Sequence, residues 1–205
     1  MTKFQRTTRL ATLLFAITTL TACAFGQKIA YNKATADISA TGDKSVAVAS
    51  HDQRPYILSG DKQPDFVGLS RGGFGNPFDI RTESGAPLAD DFSAAITAAL
   101  NAKGFQASTV IVAPTQSAAD VLAALKATAA ERQLLVTFKE WKSDTYASTK
   151  FLYDVTIQIH DADGTELTSV TFKDEERVDR KAVGDVFGQK IERWFSDARV
   201  VEALQ

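Results

Sequence analysis

The segment from residue 151 to residue 160 constrains the fold of this chain more than any other stretch. Its odd positions are apolar and its even positions are mostly polar, a period of two that is typical of a β-strand with one buried face. Asp163 and Gly164 follow, and this pair favours a two-residue hairpin turn. The sequence therefore predicts an antiparallel hairpin. The apolar positions of its first strand are Phe151, Tyr153, Val155, Ile157 and Ile159.

The turn also fixes the register of that hairpin. A two-residue turn at positions 163 and 164 places Ile157 opposite Val170 and Val155 opposite Phe172. Both pairs match apolar with apolar side chains, so the predicted register is consistent with one buried face.

Three segments have features of helices. The clearest follows Pro87 and has an apolar residue at every fourth position, with Gly104 placed to cap its end. A second begins near Ser117, where Asp120 completes a capping pair, and a third runs from about residue 181 to residue 195. The apolar positions of the first helix are Leu88, Phe92, Ile96 and Leu100.

The order of the predicted elements gives a fold class. Further strands are predicted at 45–49, 108–112 and 134–141, so the order reads β-α-β-α-β-β-β-α. We expect an α+β domain, in which two or three helices pack on a mainly antiparallel sheet of about four or five strands.

The first 22 residues have the layout of a secretory signal peptide. Lys3, Arg6 and Arg9 form a basic start, and an uncharged stretch rich in apolar residues follows from residue 10 to residue 20. A basic region, a short apolar region and then small residues are typical of a signal peptide. The apolar stretch is too short for a membrane-spanning helix, which needs about 20 residues.

Residues 20–23, Leu-Thr-Ala-Cys, contain the only cysteine of the chain. They resemble the lipobox of bacterial lipoprotein precursors, which implies cleavage before Cys23 and a diacylglycerol on its sulfur. Ala24, where an Asp would retain such a protein at the inner membrane, implies the outer membrane. Two alternatives stay open, because Ala22-Cys23-Ala24 also fits a cleavage site that releases a soluble protein, and Cys23 could be an incidental small residue.

This reading divides the chain into three parts: a signal peptide at 1–22, a lipidated cysteine with a flexible tether at 23–44, and one periplasmic domain at 45–205. Without residues 1–22 the chain has 20 basic and 25 acidic residues. No basic run appears, so we do not expect a nucleic-acid partner. Beyond the covalent lipid on Cys23 we expect no cofactor.

No motif in the sequence assembles a catalytic site. The glycines at 68–77 fit neither a dinucleotide-binding nor a phosphate-binding loop, and the segment 161–164 lacks the later ligands of a calcium loop. His51 and His160 are far apart and stand outside any catalytic motif. A hydrolase would need a cleft that gathers His51, Asp52 and a second acid, and we expect instead that the protein is not an enzyme.

One segment, 50–86, is far longer than an ordinary connection. Arginines and aromatic residues are enriched at the centres of protein interfaces. The segment is therefore a candidate partner-binding surface. The alternative is a hairpin that folds back over the sheet and buries Phe66 and Phe78. The candidate binding residues are Asp52, Arg54, Tyr56, Arg71, Phe74 and Arg81.

The chain resembles the small envelope lipoproteins of the YajG type in Gram-negative bacteria. The resemblance is carried by the lipobox at Cys23, by the strand 46–49 with Asp52-Gln53-Arg54, by the helix 88–100 with Lys103-Gly104-Phe105, and by the pattern from residue 134 onward. The insertion at 59–85 and an extra helix near 117–130 depart from that family. The family brings no established activity.

These observations give two expectations for function. The first is a non-catalytic lipoprotein on the periplasmic face of the outer membrane, which binds or supports another envelope component, most readily a protein, through residues 50–86. The alternative is a carrier of lipid or glycan with an apolar groove between helices and sheet. That groove would be lined by Phe92, Ile96, Val155 and Ile157.

Overall fold

The computed structural model describes residues 27–179 and 183–205. The signal peptide predicted at 1–22 and Cys23 lie outside the described residues. Within those two ranges eight strands form one sheet with five α-helices packed on it. The strands are β1 (Lys28–Ile29), β2 (Ser45–Asp52), β3 (Phe66–Arg71), β4 (Pro77–Thr82), β5 (Gln106–Thr109), β6 (Arg132–Thr145), β7 (Thr149–Asp161) and β8 (Glu166–Val178). The helices are α1 (Pro55–Leu58), α2 (Leu88–Ala102), α3 (Ala118–Lys126), α4 (Val183–Trp194) and α5 (Ala198–Leu204).

The long strand β6 organises the sheet. On one edge it pairs with β7 along its whole length, antiparallel. On the other edge it pairs in parallel with β2 over residues 132–138 and with β3 over residues 143–145. The sheet therefore forks at residues 139–142 of β6. One branch continues from β2 to β5, and the other continues from β3 to β4 and β1.

The prediction of a mainly antiparallel sheet with four or five strands is wrong. Of the seven strand pairings between described residues, four are parallel: β1 with β4, β2 with β5, β2 with β6, and β3 with β6. The helix count of two or three is also too low. One reason is the segment 50–86, which contributes α1 and the hairpin of β3 and β4, and another is the parallel pairing of β2 with both β5 and β6. This hairpin extends the edge of the sheet and does not fold back over its face.

The predicted register of the last hairpin is confirmed, but its two-residue turn is not: the N–H of Asp161 donates to the carbonyl of Thr165, so the loop has three residues, 162–164. Ile157 lies opposite Val170 and Val155 lies opposite Phe172, as predicted. One bulge follows Ile159, close to the turn. Gly164 in that turn has a φ of +87°, a left-handed conformation in which an L side chain would be unfavourable. The third predicted helix is α4, which in the described residues starts at Val183.

The first two predicted helices are also present. In α2 the apolar stripe is buried, and Gly104 after its end has a φ of +97°. At the start of α3 the Ser117 side chain accepts a hydrogen bond from the backbone of Asp120, and the Asp120 carboxylate accepts one from the backbone of Ser117. This reciprocal capping satisfies two N–H groups that the helix itself cannot bond.

The main core lies between one face of the sheet and the helices α2, α4 and α5. Its centre is aromatic, with Trp141 of β6 against Phe92 of α2 at a ring-centroid distance of 4.8 Å, and Phe92 against Phe187 of α4 at 4.4 Å. A smaller apolar cluster lies on the other face, where α3 covers β2 and β6 through Val121 and Leu125. β7 and β8 form another part of that second face.

Residues 27–44 belong to the domain, which corrects the prediction of a flexible tether from 23 to 44. β1 pairs with β4, and Tyr31, Ile38 and Ala40 are buried in the main core. The indole N–H of Trp141 donates a hydrogen bond to the Tyr31 hydroxyl at 3.1 Å. The segment is polar and small in composition, but a few well-spaced apolar side chains are enough to bind it to the core. The folded body thus begins no later than residue 27.

Candidate functional site

Asp52 and Arg54 form a buried ion pair at the fork of the sheet. Arg54 donates from Nε to one carboxylate oxygen of Asp52 at 2.8 Å and from Nη2 to the other at 2.6 Å. Its Nη1 donates to the carbonyl oxygens of Phe66 at 2.6 Å and Trp141 at 3.2 Å. The guanidinium therefore fills the space where β6 changes partner from β2 to β3 and satisfies carbonyl groups there.

This position excludes Asp52 and Arg54 from a partner surface, so that part of the predicted site is wrong. The Arg54 side chain is 0 % exposed and that of Asp52 is 1 % exposed. Burial by itself would lower the pKa of Arg54, but the hydrogen bonds and charge of Asp52 outweigh it and leave the pKa raised. The pair supports the fold. The sequence does not predict this, because charged residues are expected on the surface and these two are buried.

Three other predicted site residues each have a carboxylate partner. The Tyr56 hydroxyl donates to Glu140 at 2.6 Å, and burial raises its pKa. Arg71 donates two hydrogen bonds to Asp144, both at 2.7 Å, and Arg81 donates to Asp65 at 3.0 and 3.1 Å. The six predicted residues therefore do not form one surface.

Phe74 differs from the other five predicted site residues, because its side chain is exposed to solvent. It lies at the tip of the β3–β4 hairpin and its side chain is 99 % exposed. The tip is a closed turn, in which the N–H of Gly72 donates to the carbonyl of Asn76 at 2.9 Å and the N–H of Gly75 donates to the carbonyl of Gly72 at 2.8 Å. A single exposed apolar side chain is common on protein surfaces, so Phe74 indicates a site only if a second exposed ring lies at the same place.

A second exposed aromatic residue, Tyr146, lies at the same end of the sheet. It is in the turn between β6 and β7 and is 57 % exposed. Because β3 and β6 run parallel, with Ser70 beside Thr145, the turns that follow them project in the same direction. The Arg71–Asp144 ion pair joins the two strands just before these turns. We call residues 72–76 and 146–148 the hairpin end. Tyr146 is not among the residues predicted from the sequence, although an aromatic residue in a tight turn is a usable signal.

β1 pairs with the end of β4 that is away from the tip, because Lys28 lies opposite Arg81 and Ile29 opposite Thr82. β1 runs parallel to β4, whose first residue, Pro77, follows the tip, so the chain enters β1 from that side. Gln27 and Thr145 both line a groove of about 570 Å³ between β1 and the start of α4. The chain therefore enters the folded body from the direction of the hairpin end, and Gln27 shares a groove with Thr145, the residue before the β6–β7 turn.

The sides of β7 and β8 that face away from the main core form a polar surface, which we call the open face. Its cross-strand neighbours are paired by charge or hydroxyl, with Lys150–Glu175 at 2.6 Å, Asp154–Lys173 at 2.7 Å and Thr156–Thr171 at 2.9 Å. A shallow groove of about 470 Å³ crosses it. The groove is lined by Lys139, Glu140, Leu152, Asp154, Lys173 and Glu175, among others.

The cleft that a hydrolase would need is not assembled. Asp52 bonds to Arg54, while Nε2 of His51 lies 2.8 Å from the side-chain amide of Gln53. His160 is buried and its nearest carboxylate, on Glu166, lies 3.8 Å away. Among the residues that the structure describes, no three His, Cys, Asp or Glu side chains are grouped as metal ligands would be. None of the helices in the described ranges has the length and hydropathy needed to cross a bilayer.

The apolar groove of the carrier hypothesis is also absent at its predicted lining. Phe92, Ile96, Val155 and Ile157 are at most 1 % exposed and belong to the main core. Phe92 contacts Phe138 of β6 at a ring-centroid distance of 5.0 Å, so helix and sheet meet directly at this point.

No known protein family and no curated protein matches the chain. Among solved structures it is similar to the protein XCC0632 from Xanthomonas campestris, described as DUF330, with 12 % identity, a TM-score of 0.50, and coverage of 88 % of this chain and 94 % of that one. The dodecameric PelC from Paraburkholderia phytofirmans has 18 % identity, a TM-score of 0.46, and coverage of 83 % and 93 %. The lipoprotein GNA1162 from Neisseria meningitidis has 12 % identity, a TM-score of 0.33, and coverage of 74 % and 98 %. The first likeness shows a shared fold, and none of the three confirms the YajG resemblance.

Proposed function

We propose that the protein is a lipid-anchored protein of the bacterial envelope, held by a diacylglycerol on Cys23 at the periplasmic leaflet of the outer membrane. The observation that carries this proposal is the short distance along the chain between Cys23 and the folded body. Gln27 accepts a hydrogen bond from Arg81, only four residues after Cys23. A lipobox so close to a folded body, behind a signal-peptide pattern, fits a lipoprotein that stands on its membrane.

We propose further that the protein acts by binding another envelope protein and not by catalysis. Asp52 and His51, which a hydrolytic cleft would use, are engaged with neighbours inside the fold. The open face carries both signs of charge, already paired within the sheet, so a protein that docks there needs matching polar groups and no strong net charge. The contact surface in this proposal is therefore the open face, and it replaces the segment 50–86.

Cell fractionation tests the anchor. The wild-type protein should remain with outer membranes after a high-salt wash, because the lipid and not surface charge holds it. Replacing Ala24 by Asp should move it to the inner membrane, while Ala24→Ser should leave it in place. Recovery of wild-type protein in the soluble periplasmic fraction would contradict the proposal.

Photo-crosslinking in living cells tests the partner surface. A photoreactive amino acid at Thr171, which is exposed on the open face, should give a discrete crosslinked protein. The matched control is Ala98, which is exposed on α2. Identical products from both positions, or none from Thr171, would remove the open face from the proposal.

A further inference from the structure

We propose that the hairpin end is the foot of the protein on the bilayer, with the rings of Phe74 and Tyr146 in the lipid headgroup region. This inference rests on the proposed lipid anchor, and it adds an orientation and a second membrane contact. The ligand is a lipid surface.

The first argument is the length of chain between the anchor and the body. Gln27 is four residues after Cys23, and four steps of a fully extended chain span at most about 14 Å. The start of the folded body must therefore stay close to the leaflet. Because β1 runs parallel to β4, away from the tip, and Gln27 shares a groove with Thr145, next to the β6–β7 turn, the anchor approaches the body from the side of the hairpin end.

The second argument is the chemistry of the two exposed side chains. Phe74 exposes almost its whole ring to solvent and Tyr146 more than half of its surface. Aromatic side chains are enriched where a protein meets the membrane–water interface, since the ring is apolar and a tyrosine keeps its hydroxyl hydrated. The ion pair of Arg71 and Asp144 compensates the two charges nearest these turns.

The third argument is the contrast with the opposite end of the sheet. Strand β7 has 13 residues, which places the β7–β8 turn about 40 Å from the hairpin end. Leu167 lies near that turn and is 44 % exposed. A short tether at the hairpin end cannot bring this second apolar side chain to the same leaflet, so Leu167 is a matched control.

Depth measurements with single labels test the proposal. The chain has one cysteine, whose sulfur the lipid occupies, so a cysteine introduced elsewhere is the one reactive thiol. The lipidated full chain with Phe74→Cys, Tyr146→Cys or Leu167→Cys is labelled with a fluorophore and reconstituted into phosphatidylethanolamine–phosphatidylglycerol vesicles. Labels at 74 and 146 should be quenched by lipid-borne quenchers, at a depth of about 5–10 Å in the headgroup layer. The label at 167 should respond only to a quencher in the water.

The possible outcomes distinguish failure of the proposed membrane contact from failure of the proposed lipid anchor. If the chain floats with the vesicles but the label at 74 responds like the label at 167, the proposed membrane contact of the hairpin end is wrong and the proposed lipid anchor is not affected. If the chain does not float with the vesicles, the lipid anchor itself is wrong. If the label at 74 becomes shielded only after envelope proteins are added, the hairpin end binds a protein, and the inference is overturned.

Discussion

The carbonyl oxygen of Gln27 accepts a hydrogen bond from the backbone N–H of Arg81 at 3.2 Å. This bond adds the start of the described chain to the edge of the sheet, where a composition-based reading predicts a free tether. The body is thus separated from Cys23 by very few residues, and any anchor on that cysteine constrains both the height and the orientation of the domain.

The buried ion pair at the fork predicts a large loss of stability when one partner is removed. Replacing Arg54 by Met leaves the carboxylate of Asp52 buried without its cation, which should cost about 3–5 kcal/mol in urea unfolding. The double variant Asp52→Asn with Arg54→Met should lose less than the single variant, because no buried charge remains. An equal loss in both would show that Asp52 does not depend on Arg54.

Two glycines of α4 test whether residues 27–44 are part of the domain. A Cβ atom on Gly188 would lie 2.7 Å from the carbonyl oxygen of Thr35, whereas one on Gly184 would meet no atom within 4 Å. Gly188→Ala should therefore destabilise the protein by about 1–3 kcal/mol. Gly184→Ala should be neutral or stabilising by up to about 1 kcal/mol, because alanine favours helix. Equal tolerance of both changes in thermal unfolding would mean that Thr35 does not pack on α4.

Two phenylalanines of one hairpin should differ in their effect on folding. Phe66 in β3 is 2 % exposed, and Phe66→Ala should cost about 3–5 kcal/mol through the cavity it creates. Phe74→Ala should change the free energy of unfolding by no more than about 0.5 kcal/mol, since its ring contacts mainly solvent. A large loss of stability with Phe74→Ala would show that the ring serves the fold and not a surface.

The pair of Arg71 and Asp144 predicts a pH dependence. The Arg71 guanidinium holds the pKa of Asp144 below its ordinary value of 3.8. A carboxyl group with a lowered pKa stabilises the folded state above its unfolded pKa, and this stabilisation is lost as the pH falls through the folded pKa. Wild type should therefore unfold at a slightly higher temperature than Asp144→Asn at neutral pH, and the difference should vanish in strong acid. A difference that does not change with pH would contradict this account.

The sequence predicts those elements whose signals are local. The β7–β8 register follows from a period of two and one turn, and the start of α3 follows from Ser117 and Asp120. The branch formed by β3 has no such signal. Its Gly68 lies so close to β6 that a Cβ atom there would be 2.6 Å from the carbonyl oxygen of Ser143, and this fit exists only between strands distant in sequence.

In the candidate site, too, the features with a local sequence signal are predicted and those that depend on distant segments are not. Phe74 is exposed in the structure, and a run of glycines around an aromatic residue is a local signal that predicts this. Arg54 is buried because a carboxylate and carbonyl groups from three separate segments surround it, and residue type alone does not predict that arrangement. The shared direction of the Phe74 and Tyr146 turns depends on the parallel pairing of β3 with β6, which the predicted antiparallel sheet lacks.

The intact mass of the mature protein, purified from its native membranes, tests the central claim most directly. The account predicts a chain that begins at Cys23 and carries a diacylglycerol on its sulfur. On fragmentation in the mass spectrometer, the N-terminal peptide should lose the mass of the lipid. A chain that begins elsewhere, or one that carries an unmodified Cys23 thiol, would contradict the membrane placement and the foot that depends on it.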